Sequence, residues 1–317
     1  MESLAPVSLD DVRAAAQRIA GTVIRTPLLP LDDETRPAIH LKLENLQPVG
    51  SFKLRGAANS VAALEPGQLT AGLATASAGN MARAVAWLAH MHGVECTVIV
   101  PEGAPAAKLD PIRELGAAIV PVPFERWWQA MQDGSHPAAP GTFLHAFASA
   151  PMMAGNGTIG LELIEDLPDL AAVVVPFGGG GLSCGIAAAV KLLRPDVLVF
   201  AAEVEGAAPL EASLAAGQPV TIEHHRSFVD GIGSGGLLAQ MWPLASSLLH
   251  GSIVVSLDEV AAAMCVLASR ARVVAEGAGA AALAAAMSGR AGDGPIAAVV
   301  SGGNIDRPLL AGILGHA

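Results

Sequence analysis

The chain contains no tyrosine, and aromatic residues make up only 3% of its 317 positions. Its core must therefore be filled by Ala, Val, Leu and Ile, the bulk of a 52% hydrophobic fraction. Cysteine is scarce as well. Cys96, Cys184 and Cys265 are far apart, odd in number and form no CxxC pair. That excludes a secreted-type disulfide framework and fits a reducing compartment. Cys96 and Cys265 fall in apolar periodic stretches, where a thiol acts as a small core residue. Positive charge is thin, with 18 Lys and Arg against 29 Asp and Glu and a formal net charge of −11. Such a chain offers no field to attract nucleic-acid phosphates. Long apolar runs are missing too. The mean hydropathy of +0.50 comes from alanine-rich helices, and no run approaches the ~20 residues of a membrane-spanning helix. The N-terminus, MESLAPVSLDDVRAAAQRIAG, lacks a basic start followed by an apolar block, so the expectation is a soluble, cytoplasmic protein without a signal peptide. The nine histidines show no HxxxH or similar metal spacing.

Glycine (35) and proline (22) are plentiful and dispersed, marking turns between regular elements. Residues 9–20 predict an opening helix with acids in its first turn. Residues 39–43 alternate like a strand. From residue 71, short β-rich runs alternate with alanine-rich helical stretches: GLATAS, CTVIV, AIVPV, AAVVVPF, VLVFAAE and IAAVVS are each bordered by helical sequence. That order predicts an α/β fold with mostly parallel sheets flanked by helices. AAVVVPF and IAAVVS are apolar throughout, as strands covered on both faces should be. Residues 133–152 are the most irregular stretch and read as a crossover between lobes.

Four segments stand where a strand or extended run turns into a helix, the edge at which open α/β sheets bind ligands. In ENLQPVGSFKLRGA, Lys53 follows a Gly-Ser turn and precedes a helix from Arg55 to about Leu64. The positive field of a helix N-terminus lowers a lysine pKa and favours the neutral amine needed for Schiff-base chemistry; a plain surface lysine is the alternative. In TASAGNMA, Ser77, Gly79 and Asn80 offer an anion site for a carboxylate, or an ordinary helix cap. In VVVPFGGGGLSCG, the four glycines Gly178, Gly179, Gly180 and Gly181 cost backbone entropy that a phosphate-wrapping turn would explain. The dinucleotide fingerprint fails in both frames, since Ser183 and Cys184 take the sixth position, and a P-loop would need a lysine that GLS lacks. Glu203, at the end of the next strand, keeps the dinucleotide alternative open. In AVVSGGNID, Ser301 ends an apolar strand and either donates a hydrogen bond into the same cleft or closes a turn.

In order and spacing these four segments resemble the fold-type II pyridoxal-phosphate enzymes, specifically the threonine/serine dehydratase and serine racemase group, over nearly the whole chain from TPLL at 26–29 onward. The resemblance implies a two-lobed, tryptophan synthase β-like α/β fold. The small lobe would hold residues 49–145, and the large lobe residues 1–48 and 146–317. It implies pyridoxal 5′-phosphate as cofactor, held by Lys53 as a Schiff base. Phe52, Asn80, Gly178–Leu182 and Ser301 would line the cofactor. Ser77, Ala78, Gly79, Asn80, Met81 and Ser234 would meet the amino acid substrate. The activity implied is α,β-elimination of an L-3-hydroxy amino acid to a 2-oxo acid and ammonia, with Lys53 removing the Cα proton. A neutral partner such as Ser301 leaves the pyridine nitrogen unprotonated, which favours elimination over transamination.

Ala78 stands where racemases of the group carry a second base, and a methyl group cannot accept a proton. Met81 replaces the histidine usual after SxGN. It either makes the cleft more apolar, favouring a bulkier substrate such as phenylserine, or merely packs. Glu203 and the backbone of Ala207 resemble the family's cation site. Pro209 stands in place of a second acid there, which favours a monovalent ion, or none, over a divalent one. Glu276 opens a Gly/Ala-rich helix and either faces the active site or complements the helix dipole. Racemase, β-replacement synthase and non-catalytic cofactor binder are the alternatives. A homodimer is expected from the resemblance alone. Because the chain ends soon after SGGNID, the regulatory domain that biosynthetic threonine dehydratases append is not expected.

Overall fold

The computed structural model describes residues 4–31 and 37–315, so the first three residues of the N-terminal segment lie outside it. Among the described residues there are ten strands: β1 Leu28–Pro30, β2 Ile39–Lys42, β3 Leu73–Ala76, β4 Cys96–Pro101, β5 Ala118–Val122, β6 Thr142–Phe143, β7 Ala172–Pro176, β8 Leu198–Val204, β9 Gly251–Val255 and β10 Ile296–Val299. They form two sheets, flanked by helices. The larger has the order β1-β2-β10-β7-β8-β9, and the smaller β5-β4-β3-β6. Every pairing is parallel except β1 with β2. Sequence analysis missed β9, a half-exposed edge strand, and β6, two residues within the stretch that reads as irregular, whereas β1 falls in the segment RTPLLPL, extended by its two prolines.

Strand periodicity builds the two faces of the large sheet. Along β7, Ala172 and Val174 enter one core cluster, while Val173 and Val175 enter the other. The neighbouring strand repeats this, with Ile296 and Ala298 on the first face and Ala297 and Val299 on the second. Alternate side chains of a strand point to opposite faces, so a strand buried on both sides must be apolar at every position. The helix Gly277–Met287, GAGAAALAAAM, is buried around nearly its whole circumference. Small side chains allow that close seating, and such helices account for the high mean hydropathy. Among the described residues no helix is long and apolar enough to cross a membrane. A third cluster forms the core around the small sheet.

The opening helix Leu9–Ile19 starts at a capping box. Ser8 accepts from the Asp11 amide, and Asp11 accepts from the Ser8 amide. The helix carrying the candidate lysine spans Lys53–Ala62 and so begins at Lys53 itself. Parallel strands place their carboxyl ends together. The segments after β2, β3, β6, β7 and β10 are the lysine turn, the Ser77–Asn80 loop, the 144–149 turn, the glycine turn and the Ser301 turn.

Candidate active site

Lys53 stands at the first turn of its helix, half-buried, with Nζ donating to the Ala146 carbonyl at 2.7 Å. The ammonium position lies 5.0 Å from the centroid of the Phe52 ring. Burial lowers the lysine pKa to about 8, and the Glu276 carboxyl opposes that shift. The turn before the helix is tied to the end of β10. The Phe52 amide donates to the Ser301 carbonyl at 2.9 Å, and Ser51 bridges Gly302. Ser301 is buried, and among the described residues its hydroxyl makes a single long contact, donating to the Ala278 carbonyl at 3.5 Å.

The glycine turn sits at the N-terminus of the helix Gly181–Leu193. Gly180 has φ +85°, a conformation that excludes most side chains. The backbone amides of Gly178 to Leu182 donate to no backbone carbonyl among the described residues. Five such donors at a helix N-terminus make an anion cradle. Packing gives a second reason for glycine here. A Cβ on Gly179 would lie 2.4 Å from the Phe147 ring, and one on Gly181 would lie 2.6 Å from the Phe147 carbonyl. Two buried polar atoms have no partner: Ser51 Oγ in the lysine turn, and Asn156 Oδ1, which faces Gly56 of the lysine helix while its amide nitrogen donates to the Gly181 carbonyl at 3.2 Å. Such orphans are costly unless a ligand or water completes them. The free amides of the glycine turn and a lysine of lowered pKa fit a phosphorylated aldehyde.

Asn80 begins the helix Asn80–His92 and is held from both sides. Its Nδ2 donates to Glu276 Oε1 at 2.6 Å, and its Oδ1 accepts from Asn304 Nδ2 at 2.7 Å. Arg83 in turn donates to Asn304 Oδ1 at 2.7 Å. Burial raises the Glu276 carboxyl pKa to about 7, while the Asn80 hydrogen bond acts in the other direction. Glu276 thus faces the site; the sequence had left that open. Ser77 Oγ accepts the Gly79 amide at 3.1 Å, which shapes the loop. Ala78 packs at the edge of the small-sheet core. Ser234 spends its hydroxyl within its own loop, donating to the Gly236 carbonyl at 2.7 Å.

Two positions that the sequence leaves open have buried surroundings. Met81 is only 1% exposed and lies in the small-sheet core, so it packs beneath the loop rather than lining an apolar cleft edge. Glu203 is fully buried and has both oxygens engaged. It accepts from the Leu210 and Glu211 amides at 2.8 Å each and from Ser252 Oγ at 2.7 Å. That is the capping of the helix Pro209–Ala216, whose first turn leaves donors free. The Ala207 amide donates to the Val204 carbonyl at 3.0 Å, which leaves its own carbonyl, the group a cation would use, unaffected. Among the described residues no group of three or more His, Cys, Asp or Glu is placed to hold a metal ion.

Sequence reasoning missed the support beneath the lysine helix. Arg55 is 1% exposed and pairs with Glu44 through Nε and Nη2 at 2.8 Å each. It also reaches Glu162 at 2.6 and 2.9 Å. Lys42, fully buried, donates to the same Glu162 at 2.5 Å and to the Thr26 carbonyl at 2.7 Å. The only available signal was the presence of charges in otherwise apolar strand and helix sequence.

Comparison with known proteins agrees with this geometry. The family model described as "Pyridoxal-phosphate dependent enzyme" matches residues 19–302. An L-threonine ammonia-lyase from Thermotoga maritima is 37% identical over 288 residues, covering 89% of this chain and 71% of that protein. A serine racemase from Oryza sativa is 33% identical over 292 residues, covering 88% and 84%. The solved structure of maize serine racemase superposes with a TM-score of 0.88 at 32% identity, covering 98% of both chains. The chain therefore belongs to the fold-type II family of pyridoxal-phosphate dependent enzymes, among relatives named threonine ammonia-lyase and serine racemase.

Proposed function

We propose that the chain is an ammonia-lyase that converts an L-3-hydroxy amino acid of the threonine and serine class to a 2-oxo acid and ammonia. The observation that carries this is the meeting of Lys53, its pKa lowered to about 8, with the free amides of Gly178–Leu182 and the small uncharged loop Ser77–Asn80. The names of the relatives point the same way. The residues that would hold pyridoxal phosphate are Lys53, Phe52, Asn80, the glycine turn with Leu182, and Ser301. When bound, the cofactor supplies the electron sink for the charge that develops at Cα.

The protein's own part is orientation and proton transfer. The Ser77–Asn80 loop, at a helix N-terminus, receives the substrate carboxylate and orients the Cα–H bond toward Lys53. The Lys53 amine removes the Cα proton, and the 3-hydroxyl departs from Cβ and is protonated to water. The released enamine tautomerises and is hydrolysed by water to the 2-oxo acid and ammonia. An amine of pKa about 8 suits that role, being available as a base near neutral pH. The Lys53 and Glu276 groups share the site, so a proton taken by one is felt by the other. Closure of a small lobe, residues 49–145, over a large one would exclude water from these transfers.

The methyl of Ala78 supports elimination over racemisation, because it offers no second base. Burial of Met81 supports a simple substrate over phenylserine, since its side chain is spent on packing.

The test is release of ammonia and 2-oxo acid by purified protein given L-serine, L-threonine and both diastereomers of phenylserine. Release is expected from threonine or serine, falling at least ~10³-fold in Lys53→Ala. Absence of release overturns the reading. Chirality analysis of recovered serine then decides for a racemase, and a new amino acid formed with an added thiol decides for a β-replacement synthase.

A further inference from the structure

We propose that His145 is a positioning residue whose ring shapes the 145–149 turn, so that this one turn sets the resting place of Lys53 and supports the glycine turn. The inference rests on the reading of Lys53 as the cofactor-bearing amine.

The turn lies in the stretch that looks least regular in sequence. β6 holds its beginning, with the Leu144 amide donating to the Ala74 carbonyl at 2.7 Å and Thr75 Oγ1 donating to the Leu144 carbonyl at 2.9 Å. Its end is held by Ser149, which caps the helix Ala150–Asp166 and accepts from the Met152 amide. Between these anchors, His145 Nδ1 accepts two backbone amides, from Phe147 at 3.2 Å and from Ala148 at 2.9 Å. An amide N–H can only donate, so Nδ1 carries no proton and the ring hydrogen resides on Nε2. Nε2 then donates to the Met131 carbonyl at 2.9 Å. That carbonyl belongs to the last turn of the helix Phe124–Asp133 and has no acceptor role within the helix. All three ring contacts need the same neutral tautomer. Burial pushes the His145 pKa down to about 4, the Met131 contact opposes this, and Lys53 lowers it further.

Two consequences follow within two residues. The Ala146 carbonyl is turned toward Lys53 and accepts its Nζ at 2.7 Å. The Phe147 ring, edge-on to the His145 ring at 4.8 Å, occupies the space beneath Gly179 and packs against both the large-sheet and the small-sheet cores. One imidazole thus orders the backbone that meets the lysine on one side and the glycine turn on the other. Loss of the Nδ1 acceptor frees two amides and lets both neighbours move.

The test compares three variants with the wild type. Readouts are the dissociation constant for pyridoxal 5′-phosphate, followed by imine absorbance on titrating cofactor-stripped protein, and the thermal midpoint. In His145→Asn the Oδ1 atom stands the same number of bonds from Cβ as Nδ1, so the acceptor is kept and the Met131 contact is lost. In His145→Gln the acceptor at that place is lost. The dissociation constant is expected to rise about tenfold in His145→Gln and His145→Ala, the scale of one net hydrogen bond. In His145→Asn it should rise no more than about threefold by the same scale. Equal rises in the Asn and Gln variants, in step with their thermal midpoints, would reduce His145 to ordinary packing. No rise in either would overturn the proposal outright. If His145→Ala does not fold, the Asn and Gln pair still decides. Wild-type protein that forms no imine, or Lys53→Ala protein that still does, defeats the assignment of Lys53 instead, and this inference falls with it.

Discussion

Lys53, half-buried, and Arg55, fully buried, stand two residues apart on one helix, and they end in opposite electrostatic states. Burial works against the Arg55 charge, but Glu44 and Glu162 outweigh it and the guanidinium pKa is raised. Burial also works against Lys53, where the Glu276 carboxyl offsets it only in part and the pKa falls to about 8. The difference lies in the partners. Arg55 has two carboxylates in hydrogen-bond reach, whereas Lys53 has a neutral carbonyl. A buried cation with carboxylates on it holds structure together, and one without them is poised to lose its proton. A single helix thereby serves as an anchor at Arg55 and as a reactive head at Lys53.

The largest expected effect comes from breaking the anchored half. Arg55→Met leaves Glu44 buried without its partner, and chemical denaturation should show a loss of about 3–5 kcal/mol. A loss below about 1 kcal/mol would mean that the network is no stronger than surface pairs. The reactive half is tested by pH. The rate of imine formation between stripped protein and pyridoxal phosphate should rise about tenfold per pH unit up to about 8 and then level off, because only the neutral amine attacks. A plateau beginning only near the ordinary lysine range would place Lys53 in the same class as a surface amine. The smallest effect sharpens the contrast. Glu276→Gln removes the carboxyl that favours the charged lysine, so the break in that profile should move down by about half a unit. An unmoved profile would show that Glu276 does not act on Lys53.

Much of this was legible in the chain. The strands β3, β4, β5, β7, β8 and β10 announce themselves by short apolar runs between helical sequence, and the four turns by glycine, serine and a lone lysine. The glycine turn demands an unusual backbone whatever surrounds it, and Gly180 indeed adopts φ +85°. Met81 was ambiguous because a methionine after a helix start reads the same whether it faces a cleft or a core. Glu203 was ambiguous because an acid at a strand end serves a cation or a helix N-terminus equally well, and the chain after it folds back to present two amides. His145 gave no signal at all, since its three partners are backbone atoms and backbone is everywhere.

What the sequence alone determined is therefore local: periods of two and 3.6 that set strands and helices, and turns that only small residues can make. Those are properties of neighbours along the chain. The tertiary structure decided which charges are matched. Asn80 and Glu276 meet across 196 positions of sequence, and Arg55 and Glu162 across 107. Burial and pairing, which fix whether a lysine is an anchor or a base, depend on groups the fold brings from such distances.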